Sequence, residues 1–284
     1  MSWRKYLLVP GLALQGLGRT PPPEDAWDTY WAAVERTGQH GDVLWDGAGR
    51  QESQWWHEAA RTWLDPSLPV LDLGCGNGRL ARLLAAGFPA GVLGVDVSAA
   101  AVALAQRESV EVPGVRFRAM DVTGPGAAAT IAEALGSEAR GGTNVVVRGV
   151  FHVLDDAARQ ATALALGGVV GDRGTLLLLE TNWSGDLLGY LEHLGARAGR
   201  LPDALRRVLD GKLPRPSAFG PAELARTFPA DRWVTVATGP VGIEPVVLPE
   251  IGRSPTIPGF YAVLRTASAA EPAGAGPAAT EQGI

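Results

Sequence analysis

From residue 70 onward the chain alternates short apolar runs with longer segments whose apolar residues recur at helical spacing. The runs at 70–73, 91–95, 115–120, 144–147 and 175–180 predict five strands. Between them, 78–86, 98–106, 127–135 and 155–166 predict helices, and Ser98 stands where a serine oxygen can accept from the first free amides. Short apolar strands separated by helices mean parallel crossover units. The expected fold is therefore α/β, a doubly wound, mostly parallel sheet.

The rhythm breaks after Thr181. Residues 183–216 read as mostly helical, a helix follows at 221–228, and strands at 232–237 and 260–265 bring the sheet to seven. An insertion of this size between a strand and its next helix predicts a lid over the strand ends, where open α/β sheets bind ligands. Seven of the nine tryptophans fall in the first 63 residues, and residues 51–64 carry Trp56, Ala59, Ala60 and Trp63 at helical spacing. This predicts a helical, Trp-rich cap over residues 1–64, a ligand-binding core over 65–266 with its lid at 183–216, and a disordered tail at 267–284 rich in Ala, Pro, Gly and Thr.

Composition narrows the partners. The net charge of −5 lacks the basic footprint of a nucleic-acid or anionic-membrane binder. No stretch approaches the length of a membrane span. The apolar run after Lys5 is interrupted by Pro10 and Gly11, so a cleaved leader is not expected. With Cys75 as the single cysteine, no internal disulfide can form, and a reducing, cytoplasmic setting is expected for a monomer or homodimer. Two lysines among abundant arginine and alanine suggest a GC-rich bacterial genome.

Candidate chemistry concentrates at Val70-Leu71-Asp72-Leu73-Gly74-Cys75-Gly76-Asn77-Gly78-Arg79. The glycines let a backbone turn tightly against a ligand. Their spacing departs from the dinucleotide fingerprint, whose third small position is here Arg79. Asp72 would repel a pyrophosphate and attract an ammonium or sulfonium group. Asp96, 22 residues after Gly74, ends the second strand where an acid can take two ribose hydroxyls. Asp121 ends the third strand and can accept from an adenine amino group, with Val97 and Val122 placed to sandwich the base.

Asp72-Leu-Gly74-Cys-Gly76-Asn-Gly78, together with Gly94-Val95-Asp96-Val97-Ser98 and Ala119-Met120-Asp121-Val122, resembles the class I S-adenosylmethionine (SAM)-dependent methyltransferases. The resemblance covers about residues 70–182. It implies a seven-stranded Rossmann-like sheet with two late antiparallel strands, SAM as cofactor and S-adenosylhomocysteine as product. It would put Asp72, Gly74 and Gly76 at the methionine end, with Gly78 completing the motif, Asp96 at the ribose and Asp121 at the adenine. It also implies a histidine near the methyl group in the loop after the fourth strand, which His152 supplies.

His152 is open to three readings: general base, substrate-positioning group, or structural residue. Arg148 would either form an internal salt bridge with Asp121 or Glu180 or hold a substrate anion. Glu180, Asn182 and Trp183 leave the fifth strand toward the same edge, and Tyr190 and His193 could reach down from the lid. The Asn/Asp-Pro-Pro-aromatic run of base and glutamine methyltransferases is absent, and no carboxylate cluster follows the fourth strand, so no metal is expected. The expected activity is methyl transfer to an oxygen, nitrogen or carbon of a small molecule, such as a secondary metabolite. The alternatives are a cyclase or lyase that binds SAM without consuming it, a non-catalytic SAM-binding regulator, and a nicotinamide oxidoreductase.

Overall fold

The computed structural model describes residue 23 and residues 25–47, 50–139, 141–197, 200–248, 252 and 255–267. The chain's first residues and the tail beyond 267 lie outside the described residues, so the leader and tail expectations fall there.

Five strands run parallel: β1 (Val70–Leu73), β2 (Val92–Asp96), β3 (Val115–Ala119), β4 (Asn144–Arg148) and β5 (Leu176–Thr181). Then β6 (Trp233–Ile243) and β7 (Ile257–Thr266) form an antiparallel pair, with β7 beside β5. The spatial order is β3-β2-β1-β4-β5-β7-β6. The helices are α1 (Ala26–Ala32), α2 (Arg50–Trp63), α3 (Arg79–Ala85), α4 (Ala99–Glu108), α5 (Ala127–Leu135), α6 (Asp156–Val170), α7 (Leu187–His193), α8 (Asp203–Asp210) and α9 (Pro221–Thr227). No helix among the described residues is long and apolar enough to cross a membrane.

Side chains alternate across a strand, and both faces of this sheet are covered. Val70, Val146, Leu177 and Leu179 pack against Trp56, Ala59 and Leu84, on the side of α2 and α3. Leu71, Leu73, Val145, Val147, Leu176 and Leu178 pack against Ile131, Leu166 and Val170, on the side of α5 and α6. The same alternation sends Asp72 and Arg148 to the face under α2, and Glu180 to the opposite face. Since Asp72 pairs with Val146, Arg148 sits one step nearer the carboxyl edge.

Three expectations differ from the structure. α6 runs past Leu166 through Gly167 and Gly168 to Val170, where Val169 and Val170 are buried in the core. β6 extends through Gly239, Pro240 and Gly242, since an edge strand tolerates proline. Among the described residues of the segment 183–216, two short helices form, α7 and α8, in place of a mostly helical run.

Phe117 sets a packing constraint at the ligand edge. A Cβ on Gly94 would lie 2.6 Å from its ring, and one on Gly78 would lie 2.5 Å from it. Gly94→Ala therefore overpacks the sheet and costs about 1–3 kcal/mol in urea denaturation. Pairing it with Phe117→Leu recovers part of that loss, and strict additivity of the two changes would contradict this packing account.

Candidate active site

The carboxyl ends of β1 to β5 open into a cavity of about 1350 Å³. Its roof comes from two distant stretches of chain. The first supplies Trp27, Trp31, Trp45 and Trp56, and the second supplies Tyr190, Leu205, Val208 and Leu213. They pack on each other as well as on the sheet: Tyr30 and Trp31 meet Val208 and Leu213, and Arg207 reaches Asp42 at 3.5 Å. Asp28 anchors α1 to α4 by accepting from the Ser98 hydroxyl and the Ala100 amide, both at 2.9 Å.

The glycine turn forms one end of the floor. Gly74 and Gly76 have φ of 70° and 52°, a region that glycine enters without steric cost. A Cβ on Gly76 would meet the Trp31 ring at 2.8 Å, so the aromatic roof lies directly on the turn. Asp96 accepts from the Gly76 and Ser98 amides, each at 2.9 Å. Each oxygen keeps a lone pair, which is the capacity a ribose diol needs. Asp121 accepts from the Thr123 amide and hydroxyl, and Val97 stays more than half exposed within the cavity beside Val122.

Asp72 lines the same floor almost fully buried, and its Oδ2 has no hydrogen-bond partner. Burial pushes its carboxyl up to about 7, against the Ala81 amide; repulsion from Asp96 adds to the rise, while Arg148 and Arg82 oppose it. A buried carboxylate oxygen left without a donor fits a cationic ligand group. The residues present therefore suit SAM: Asp72 for the charged methionine end, Asp96 for the ribose, and Asp121, Val97 and Val122 for the base. Gly78 is not part of this wall. Its positive φ and lack of a Cβ serve close packing of the α3 start against Phe117 and Ala105.

Arg148 does form an internal ion pair, but with neither Asp121 nor Glu180. Its Nε and Nη2 donate to Glu52 of α2 at 2.7 and 3.1 Å. Glu52 lies one helical turn before Trp56 on the buried face of α2, and that position was the signal available in sequence. Nearby, Arg79 reaches away from the turn to Ser53 and the Gly47 carbonyl, and its Nε lies 3.9 Å from Asp46. Asp46 also accepts from Asn77 and from the Gly38 amide.

Glu180 organises the loop after β4. Oε1 accepts from the Val150 and Phe151 amides at 3.0 and 2.9 Å, and Oε2 from the His152 amide at 3.1 Å. Oε2 also lies 2.8 Å from His152 Nδ1. A proton on Nδ1 donated to Glu180 leaves Nε2 as an acceptor. The carbonyls are held too: Arg159 donates to Phe151, and Ser217 donates to His152 through both amide and hydroxyl. Glu180 is fully buried and does not face the cavity, whereas His152 lines it.

Tyr190 also lines the cavity, and burial raises its hydroxyl to about 12. Asn182, Trp183 and His193 lie outside the wall. Asn182 packs on Gly220, Trp183 donates to the Asp186 carbonyl, and His193 Nε2 meets the Thr256 carbonyl at 2.8 Å. Trp183 instead buttresses Tyr190, edge to face at 5.5 Å. Cys75 is buried beneath the turn, and burial pushes its thiol well up. Among the described residues no group of three His, Cys, Asp or Glu side chains is arranged to hold a metal ion.

A glycine turn after β1, acids at the ends of β2 and β3, and a β7–β6 antiparallel pair closing a parallel sheet together define the class I SAM-dependent methyltransferase architecture. Residues 70–166 match the family model of a methyltransferase domain. Over 88% of this chain and 98% of the other, the structure is similar to a SAM-dependent methyltransferase from Anabaena variabilis, with 26% identity and a TM-score of 0.73. A structure described for conversion of a disulfide bond into a thioacetal group during echinomycin biosynthesis shares the fold at 19% identity and a TM-score of 0.57, over 80% and 86% of the chains. So does geranyl diphosphate C-methyltransferase from Streptomyces coelicolor, at 12% identity and 0.53, over 86% and 99%. Residues 70–166 thus match a methyltransferase domain, set in a fold shared with SAM-dependent methyltransferases.

The Asp72 environment gives a pH signature. Its carboxyl titrates near 7 in the folded protein against 3.8 ordinarily, so the folded state holds the proton more tightly. Stability contributed by the neutral acid is then lost as pH rises from about 4 through about 7 and stays flat above. Asp72→Asn removes that loss: its melting temperature exceeds wild type at about pH 8, and the gain vanishes near about pH 4. A gain independent of pH would contradict the assignment.

Proposed function

We propose that this methyltransferase acts on a small molecule, transferring the methyl group to an oxygen, nitrogen or carbon atom, with His152 as the general base. The observation that carries the reading is the pairing of His152 Nδ1 with the buried Glu180 carboxylate, in a ring that lines the same cavity as Asp72 and Asp96. When bound, SAM supplies a methyl group activated by a positively charged sulfur. Asp72, Gly74, Gly76, Asp96, Val97, Asp121 and Val122 hold it across the ends of β1, β2 and β3. The acceptor then occupies the part of the cavity over β4 and β5, where Arg148, His152 and Tyr190 stand.

The protein's own contribution is alignment and proton removal. Glu180 fixes the imidazole tautomer, and Nε2 takes the proton of a hydroxyl or amine as that atom attacks. The cavity exceeds the usual volume of a single drug-sized ligand, roughly 300–1,000 Å³, which leaves room for cofactor and acceptor together. The aromatic roof excludes water from both. The buried, unpaired Cys75 fits a reducing compartment such as the cytoplasm.

Methyl-labelled SAM tests the reading directly: label should move to acceptor with equal release of S-adenosylhomocysteine. His152→Ala lowers turnover by about 10²–10⁴-fold while SAM affinity is retained. Glu180→Gln lowers turnover in the same way, again without weakening SAM. Asp96→Ala instead weakens SAM binding by about 1–3 kcal/mol in calorimetry. Normal turnover of His152→Ala would reject the base, and unchanged affinity of Asp96→Ala would reject the ribose contact.

A further inference from the structure

The half of the cavity beyond the cofactor wall has its own chemistry. It is walled by Trp56, Leu80, Leu83, Leu187, Leu191 and Ile243. Two of its cations are compensated, Arg148 by Glu52 at 2.7 Å and Arg79 by Asp46 at 3.9 Å, while Lys212 and Arg215 line the cavity from the chain after α8. Two hydrogen-bonding groups remain uncommitted. Arg148 uses only Nε and Nη2 toward Glu52, and among the described residues its Nη1 has no partner. Tyr190 is held by ring contact with Trp183, and among the described residues its hydroxyl has no hydrogen-bond partner, although it feels the Arg148 charge.

We infer that Glu52 is a specificity-determining residue: by cancelling the charge of Arg148 it reserves the acceptor subsite for an uncharged, largely apolar molecule whose oxygen is anchored by Tyr190 and the Arg148 Nη1 group. The inference rests on the methyl-transfer reading above and names its substrate class. An anionic acceptor would bring an uncompensated charge into a hydrocarbon-walled space where Arg148 already has its counter-ion in Glu52. A neutral hydroxyl or carbonyl oxygen satisfies the uncommitted donors and adds no net charge. The rest of such a molecule gains by covering leucine, isoleucine and tryptophan surface. An uncharged hydroxyl also arrives protonated, which is the case in which a base at His152 is useful.

The arrangement has a reversible key. The cation belongs to the sheet and its counter-ion to α2, 96 residues away in sequence. Replacing Glu52 by its amide keeps the shape and one acceptor oxygen but frees the positive charge. The subsite should then prefer an acid to an alcohol of the same shape.

The test uses the full chain and two probes matched in shape, 2-naphthol and 2-naphthoate, titrated by calorimetry at about pH 7.5, where the first is neutral and the second ionised. Each is measured with and without saturating S-adenosylhomocysteine, whose own binding is recorded first. Wild type should bind 2-naphthol at least about tenfold more tightly than 2-naphthoate, and Glu52→Gln should raise 2-naphthoate affinity by at least about tenfold while leaving 2-naphthol within about threefold. Tyr190→Phe, which needs no buried ion pair to be broken, should weaken 2-naphthol by about fivefold or more and leave naphthalene unchanged. Equal binding of the two probes, binding of neither, unchanged 2-naphthoate affinity in Glu52→Gln, or unchanged 2-naphthol affinity in Tyr190→Phe overturns the inference. Absent S-adenosylhomocysteine binding would instead strike the methyl-transfer reading, while the probe titrations without it still decide the preference.

Discussion

The loop that bears His152 depends on one carboxylate. Glu180 follows four leucines as the penultimate residue of β5 and is wholly buried, so every lone pair it presents must find a donor. It finds three consecutive amides and one imidazole nitrogen, all in residues 150–152. That demand curls the chain after β4 into a single 3₁₀ turn, Phe151–Val153, and turns the ring of His152 to a defined orientation. Arg159 and Ser217 then hold the carbonyls of the same turn, which ties α6 and the segment before α9 to the reacting edge. An imidazole held this way needs little reorganisation to accept a proton.

The roof is held by the same logic with opposite sign. Arg148 emerges from β4 onto the face under α2, where a lone cation would cost several kcal/mol. Glu52 meets it with two hydrogen bonds and so fixes α2 over the cavity. Asp46, Arg79 and Asn77 add a second tie between the roof and the glycine turn. Asp72 stands out because its Oδ2 has no partner and the residue lines the cavity; Glu244 Oε2, also buried without a partner, belongs to a residue outside that lining. A buried carboxylate oxygen left open on the cavity floor is a place for a positive ligand group.

Much of the sheet was legible because its signals are local. Four-residue to six-residue apolar runs, strand-end acids and turn glycines report on neighbours a few positions away, and β1 to β5 fall within one or two residues of where they read. Errors arose where a long-range neighbour overruled a local rule. The helix expected at 155–166 continues to Val170 because Val169 and Val170 are buried in the core, and the strand expected at 232–237 continues through Pro240 because β6 is an edge strand. At the site, Asp72, Gly74, Gly76, Asp96, Asp121 and His152 were visible as residue types at motif spacing, and all line the cavity. Asn182, Trp183 and His193 were placed by proximity in sequence to β5 and α7, which does not say which side of a short helix faces inward.

By itself the sequence determined the order of elements, the glycine turn and the acids at the strand ends, because these follow from periodicity and backbone freedom within each segment. Only the tertiary structure decided the partners. That Arg148 meets Glu52, that Glu180 holds His152, and that tryptophans from one end of the chain and leucines from another form a single roof are matters of burial. A buried charge or donor must be matched by whatever the fold brings within about 3 Å, and that choice is made across gaps of 28 to 96 residues that no local pattern records.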